Sequence, residues 1–159
     1  MPRQEAERIS DAVKEAALDA IQDGKEMLEM VTCGSFRRGR AFCGDVDVLI
    51  TRKDNKSIRG TVGPIVELLK ERGIVTDTLS NQRLSVHSTE TFMGICRLPE
   101  EGSKHRRLDI KAYPREQYGF AVLYFTGSPH FNRSMRLFAH KKGFSLSDHG
   151  LTPTIRVRN

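Results

Sequence analysis

Cysteine is scarce in this sequence, and its three copies, Cys33, Cys43 and Cys96, are odd in number and form no CxxC spacing. That pattern offers neither a closed disulfide framework nor a paired-cysteine zinc site, and it fits a reduced, intracellular protein. No apolar run approaches the length of a membrane span, and the charged start of the chain contains no signal-peptide core. Membrane insertion and secretion are therefore disfavoured. Internal repeats and low-complexity segments are missing as well.

What the chain has in excess is positive charge. Lys and Arg number 26 against 20 Asp and Glu, for a formal charge of +6 and a pI of about 9.5. Such a balance favours polyanionic partners. Basic composition alone is common among soluble proteins, so clustering carries more weight. Arg37, Arg38 and Arg40 form one group; His105, Arg106 and Arg107 a second; Arg133, Arg136, Lys141 and Lys142 a third. Each adjoins a glycine or a candidate acidic site.

The length, 159 residues, is that of one ordinary domain with a core of its own. Ala6, Ile9, Val13, Ala16 and Ala20 recur at three- and four-residue steps, which predicts an amphipathic helix from Arg3 to about Ile21, with Gly24 as its stop. Met27–Thr32 and Val46–Thr51 read as strands, with a turn over Arg37–Arg40 between them. Ile65–Arg72 reads as a helix stopped by Gly73. Three further strands, Ile74–Leu79, Thr91–Leu98 and Arg107–Tyr113, are separated by polar turns, the segment Pro99–Lys104 being a hairpin loop. Pro114 breaks the last of them. Glu116–Phe125 and Ser128–Lys142 read as helices joined at Thr126-Gly127, with Ser128 as N-cap and Gly143 as C-cap. The tail from Leu151 to Asn159 holds too little apolar content to fold alone. These elements make an α+β domain.

In Gly44-Asp45-Val46-Asp47-Val48-Leu49-Ile50 the two carboxylates lie two apart on a strand and project from one face, while Val46 and Val48 point into the core. Like charges so placed repel, and a hard divalent cation with oxygen ligands removes that repulsion. Asp109, set between Leu108 and Ile110, repeats the pattern of one acid among buried neighbours. If the two strands pair, three carboxylates converge to hold two metal ions for phosphoryl transfer. Taken alone, DxD on an amphipathic strand is more often a solvated face. The adjoining Gly34-Ser35-Phe36-Arg37-Arg38-Gly39 reverses the odds, because backbone amides, a hydroxyl and arginines together suit triphosphate oxygens. Ser128, Asn132 and Arg136 fall at i, i+4 and i+8 and share one helix face behind an aromatic pair.

Taken together, "CGSFRRGRAFCGDVDVLIT", "HRRLDI" and "LYFTGSPHFNRSMR" resemble the X family of DNA polymerases, repair enzymes of the beta and lambda kind. The resemblance implies a nucleotidyltransferase fold with a mixed β-sheet palm and flanking helices. Residues 1–115 would form the palm, and 116–159 part of the C-terminal thumb, the subdomain that binds the nascent base pair. It also implies that Asp45, Asp47 and Asp109 hold two Mg²⁺, with Mn²⁺ as a substitute. Gly34, Ser35, Arg38 and Gly44 would hold the nucleotide phosphates, Arg107 the primer phosphate, and Tyr124, Phe125 and Gly127 the sugar pocket. Asn132 would reach the incoming base and Arg136 the template strand. The implied partners are a DNA primer-template and a deoxynucleoside triphosphate, and the implied location is the nucleus.

Tyr124-Phe125 resembles the template-dependent members, since the terminal transferase carries glycine and tryptophan there. DVD, Cys43 and Pro129 lean toward the lambda-like members. The family's upstream lyase and helix-hairpin-helix domains do not occur in this sequence, so gap recognition and tight DNA binding are expected to be weak. Two other readings are a nucleotide-binding module without turnover, and template-independent transfer.

Overall fold

The structure, a computed structural model, describes residues 1–23, 25–80 and 89–154. Helix α1, Arg3–Ala20, follows the apolar spacing closely: Ala6, Ile9, Val13, Ala16 and Ala17 are fully buried. Gly24, the expected stop, lies outside the described residues. After a short 3-10 turn at Lys25–Met27 come strand β1 (Leu28–Thr32), the single-turn helix α2 (Gly34–Arg37) and strand β2 (Val46–Arg52). Helix α3 (Val62–Glu71) leads to β3 (Val75–Ser80), β4 (Glu90–Cys96) and β5 (Arg106–Ala112). Helices α4 (Arg115–Thr126) and α5 (Pro129–Lys141) follow, and then a hairpin of β6 (Phe144–Leu146) and β7 (Leu151–Pro153).

The five-stranded sheet runs β1-β2-β5-β4-β3. Its one parallel pair is β2 with β5, and the other neighbours are antiparallel. Because side chains alternate, each central strand serves two faces. Val46, Val48 and Ile50 of β2, with Leu108, Ile110 and Ala112 of β5, join α1 and α3 in the main core. The opposite face places Leu49 and Tyr113 against Tyr118 and Ala121 of α4. Asp47, Asp109 and Lys111 have the parity of this second face.

Three sequence expectations change. The turn after β1 begins one helical turn earlier, as α2, before the chain reverses at Arg38–Arg40. The tail does form structure: Leu151–Pro153 pairs with Phe144–Leu146, and Thr154 N donates to Gly143 O at 2.8 Å. Backbone pairing makes this hairpin, so its low apolar content did not announce it. Residues 155–159 of that tail lie outside the described residues.

Helix α3 starts at Val62 rather than Ile65. Pro64 falls in its first turn, where a missing N–H costs nothing. The start is fixed from across the fold, because the buried Glu90 carboxylate of β4 accepts from Gly60 N at 2.5 Å and Val62 N at 2.9 Å. Replacing Glu90 by alanine orphans both donors. We expect Glu90→Ala to lose about 2 kcal/mol and to lower the melting temperature by roughly 4–8 °C. Glu90→Gln, which keeps one acceptor oxygen, should lose less; thermal unfolding of the two variants checks this.

Candidate active site

The register of the parallel pair sets the geometry of the acids. Asp47 of β2 and Asp109 of β5 are direct Cα partners, so both carboxylates rise side by side from the α4 face. Their side chains are 13% and 6% exposed, and the Lys111 side chain beside them 9%. The Lys111 ammonium stands 3.0 Å from Asp109 Oδ2 and 3.7 Å from Asp47 Oδ1. Asp45, just ahead of β2, pairs with Arg107, whose Nε also approaches Asp109 Oδ1 at 3.5 Å. Two cations thus face three carboxylates.

Burial pushes the Asp47 carboxyl up to about 6; Lys111 opposes the rise, and the charges of Asp45 and Asp109 reinforce it. Buried Asp109 Oδ1 has no hydrogen-bond partner among the described residues. An all-oxygen donor set with an orphaned oxygen and mutual repulsion fits a hard divalent cation in its chemistry. In arrangement the sequence expectation is met only in part. Among the described residues no three acids stand as a metal cage; Asp45 pairs with Arg107, and Lys111 stands beside the other two.

The glycine-rich turn lies directly against the acids. Cys33 N donates to Asp47 O at 2.8 Å, locking the end of β1 to β2. Gly34 has φ +58, and a Cβ there would stand 2.8 Å from Asp47 Oδ2. Both the backbone angle and the close approach require glycine. Ser35 Oγ is buried with no partner among the described residues. Arg38 closes α2 and reaches over to the other lobe, where its Nη1 donates to Thr126 O at 2.6 Å. Gly127 lies beside it; a Cβ there would come within 3.4 Å of Arg38 Nη1.

At the junction of α4 and α5, Ser128 caps α5 by accepting from Phe131 N, as its sequence position predicts. Asn132 Nδ2 donates to Tyr124 O at 2.8 Å. Tyr124 and Phe125 meet edge to face at 5.1 Å, and the Phe125 ring lies 4.8 Å beneath the Lys111 ammonium. The structure therefore brings together Asp45, Asp47, Asp109, Arg107, Gly34 and Phe125, and joins Arg38 to Thr126 O beside Gly127. Gly44 is exposed with open space where a Cβ would stand, so packing gives it no part. Arg136 is exposed on α5, beside Tyr124 and Asn132.

Sequence reasoning passed over Lys111. The signal was present, since Arg107, Asp109 and Lys111 alternate on one strand face. Tyr113, next in that alternation, was read only as a strand end.

Comparison with known proteins identifies the family. The DNA polymerase beta palm family matches residues 1–115, and the DNA polymerase beta thumb family matches residues 121–158. DNA polymerase lambda of Rattus norvegicus is 48% identical over 159 residues, covering 100% of this chain and 27% of its own length. DNA polymerase lambda of Arabidopsis thaliana is 34% identical over 96% of this chain and 29% of its own. The DNA-directed DNA/RNA polymerase mu of Homo sapiens is 29% identical over 89% of this chain and 34% of its own. The chain thus spans about a third or less of the relatives it matches. Palm-family sequence on a five-stranded mixed sheet with flanking helices continues into thumb-family sequence. The chain belongs to the X family of DNA polymerases, the family of polymerase beta.

The raised Asp47 pKa is a stability cost at neutral pH. The fold favours the neutral acid more than the unfolded chain does, so this contribution is most favourable below pH about 4 and is lost as pH rises through about 6. With divalent ions chelated, we expect Asp47→Asn to stabilise the fold at pH 7, on the order of 2 kcal/mol. The gain should shrink as pH is lowered from 7 toward 4. Melting curves over that range check it, and a gain that stays constant contradicts the assignment.

Proposed function

We propose that this chain carries the nucleotidyl-transfer centre of a template-directed DNA polymerase of the repair type, acting in gap filling during base excision repair or end joining. The observation that carries the reading is the registered pair Asp47–Asp109 beside Asp45, with the Gly34–Arg38 turn packed on it and tied to the α4–α5 junction. In this reading residues 1–115 are the palm and 116–159 part of the thumb.

Asp45, Asp47 and Asp109 would hold Mg²⁺, or Mn²⁺ in its place. When bound, the metal lowers the pKa of the primer 3′-hydroxyl and stabilises charge on the phosphate oxygens. The chain's own groups supply position and field. Asp109 Oδ1, the oxygen with no hydrogen-bond partner, accepts or directs the proton of the attacking 3′-hydroxyl. The 3′-oxygen of the primer forms its bond to the α-phosphorus of the deoxynucleotide as the bond to pyrophosphate breaks. Ser35 Oγ, the backbone at Gly34 and the Arg38 guanidinium bind the β- and γ-phosphates, Arg38 bridging them to the far lobe. Arg107 neutralises the primer phosphate, a task for which it must leave Asp45. Tyr124, Phe125 and Gly127 form the sugar wall, Asn132 reads the minor-groove edge of the incoming base, and Arg136 contacts the template. Gly44 completes the phosphate-binding turn in this reading, on the strength of the motif alone.

Primer extension on a gapped duplex tests the proposal. Asp109→Ala should lower the rate roughly 10³-fold, and equal extension by this variant and the unaltered chain overturns the mechanism. Metal-dependent nucleotide binding with no extension supports a binding module instead, and addition to unpaired single strands supports template-free transfer. Arg38→Ala should raise the nucleotide KM about tenfold, with kcat falling as well where its contact strengthens in the transition state. An unchanged kcat/KM removes Arg38 from the phosphate site.

A further inference from the structure

Helix α5 is held at both ends. At its start Asn132 Nδ2 donates to Tyr124 O within the α4–α5 junction, and Arg38, from the turn after β1, donates to Thr126 O just before Gly127-Ser128. At its far end the chain runs into the β6–β7 hairpin, whose connecting loop folds back to the palm. There the Tyr113 hydroxyl, at the end of β5, donates to Asp148 Oδ2 at 2.6 Å. His149 Nδ1 lies 2.8 Å from Gln117 Oε1 of α4, and its ring sits 5.7 Å from that of Tyr113.

Tyr113 is 3% exposed. Burial and the Asp148 carboxylate both push its phenol upward, so it is a donor throughout the working pH range. Its ring also packs 6.1 Å from Phe125, which carries the Lys111 ammonium on its face. A connected path therefore runs from the hairpin loop through Tyr113, Phe125 and Lys111 to Asp109 and Asp47.

From this path we infer that Tyr113 is a positioning residue: its bond to Asp148 latches the far end of α5 to the palm and holds the nucleotide pocket between the Gly34–Arg38 turn and the α4–α5 junction in its assembled pose. The inference rests on the polymerase reading given above. Without the latch, α5 pivots about Gly127-Ser128, and only a fraction of molecules present an assembled pocket. Apparent nucleotide affinity falls by that fraction.

The test measures dNTP affinity by equilibrium titration, and KM and kcat by primer extension, on the whole chain. Tyr113→Phe and Asp148→Ala should each raise Kd and KM about five- to tenfold while kcat stays within twofold. The double variant should be no worse than either single one, because both remove the same bond. Asp148→Asn, which keeps an acceptor oxygen, should restore affinity to within twofold of the unaltered chain. A merely structural role predicts a different split, since fewer folded molecules lower kcat and leave KM unchanged. That split, additive losses in the double variant, or wild-type affinity in Tyr113→Phe each overturn the latch while leaving the polymerase reading intact. An unaltered chain that binds no deoxynucleotide overturns both.

Discussion

The parallel pairing of β2 with β5 places Asp47 against Asp109, and the active face answers to that juxtaposition. Two carboxylates on neighbouring strands, mostly buried, repel each other with little water to screen them. Lys111 offsets the repulsion from the same face, and Arg107 removes Asp45 to one side. Even so, Asp47 remains reluctant to ionise. Residual cost of this kind is common where a site is built for a charged ligand rather than for stability.

From the acids outward, the constraint spreads by contact. A side chain at Gly34 would crowd the Asp47 carboxylate, and its left-handed backbone angle also favours glycine, so the turn after β1 packs directly on that acid. Arg38 carries the turn across to Thr126, and the aromatic pair behind that junction reaches back to Lys111. The palm and the two following helices are thus joined on both sides of the acids. One side is the phosphate turn, and the other is the Phe125–Tyr113 stack leading to the C-terminal hairpin.

A different part of the molecule supplies rigidity without touching the site. On the opposite sheet face α1 and α3 bury an apolar layer, and Glu90 fixes where α3 begins. With one sheet face given to packing, the other is free to carry ionisable groups. Alternation along β2 and β5 keeps the two tasks apart residue by residue.

Much of this was legible in the chain itself because its causes are local. The spacing of Ile9, Val13 and Ala16 fixes α1, the alternation around Asp45 and Asp47 fixes β2, and Ser128 announces the start of α5. The family-level motifs around the acids are contiguous and could be read in the same way. What stayed hidden depends on partners distant in sequence or on backbone pairing that no side-chain pattern marks. The start of α3 waits on a carboxylate 28 to 30 residues away, and the tail hairpin arises from backbone pairing, which leaves no hydrophobic signature. Sequence alone determined which residues could bear charge, turn or bury. Tertiary structure decided which charges meet: that Lys111 and Arg107 answer the three aspartates, and that Tyr113 reaches Asp148, because only strand register and the return of the hairpin bring those atoms within bonding distance.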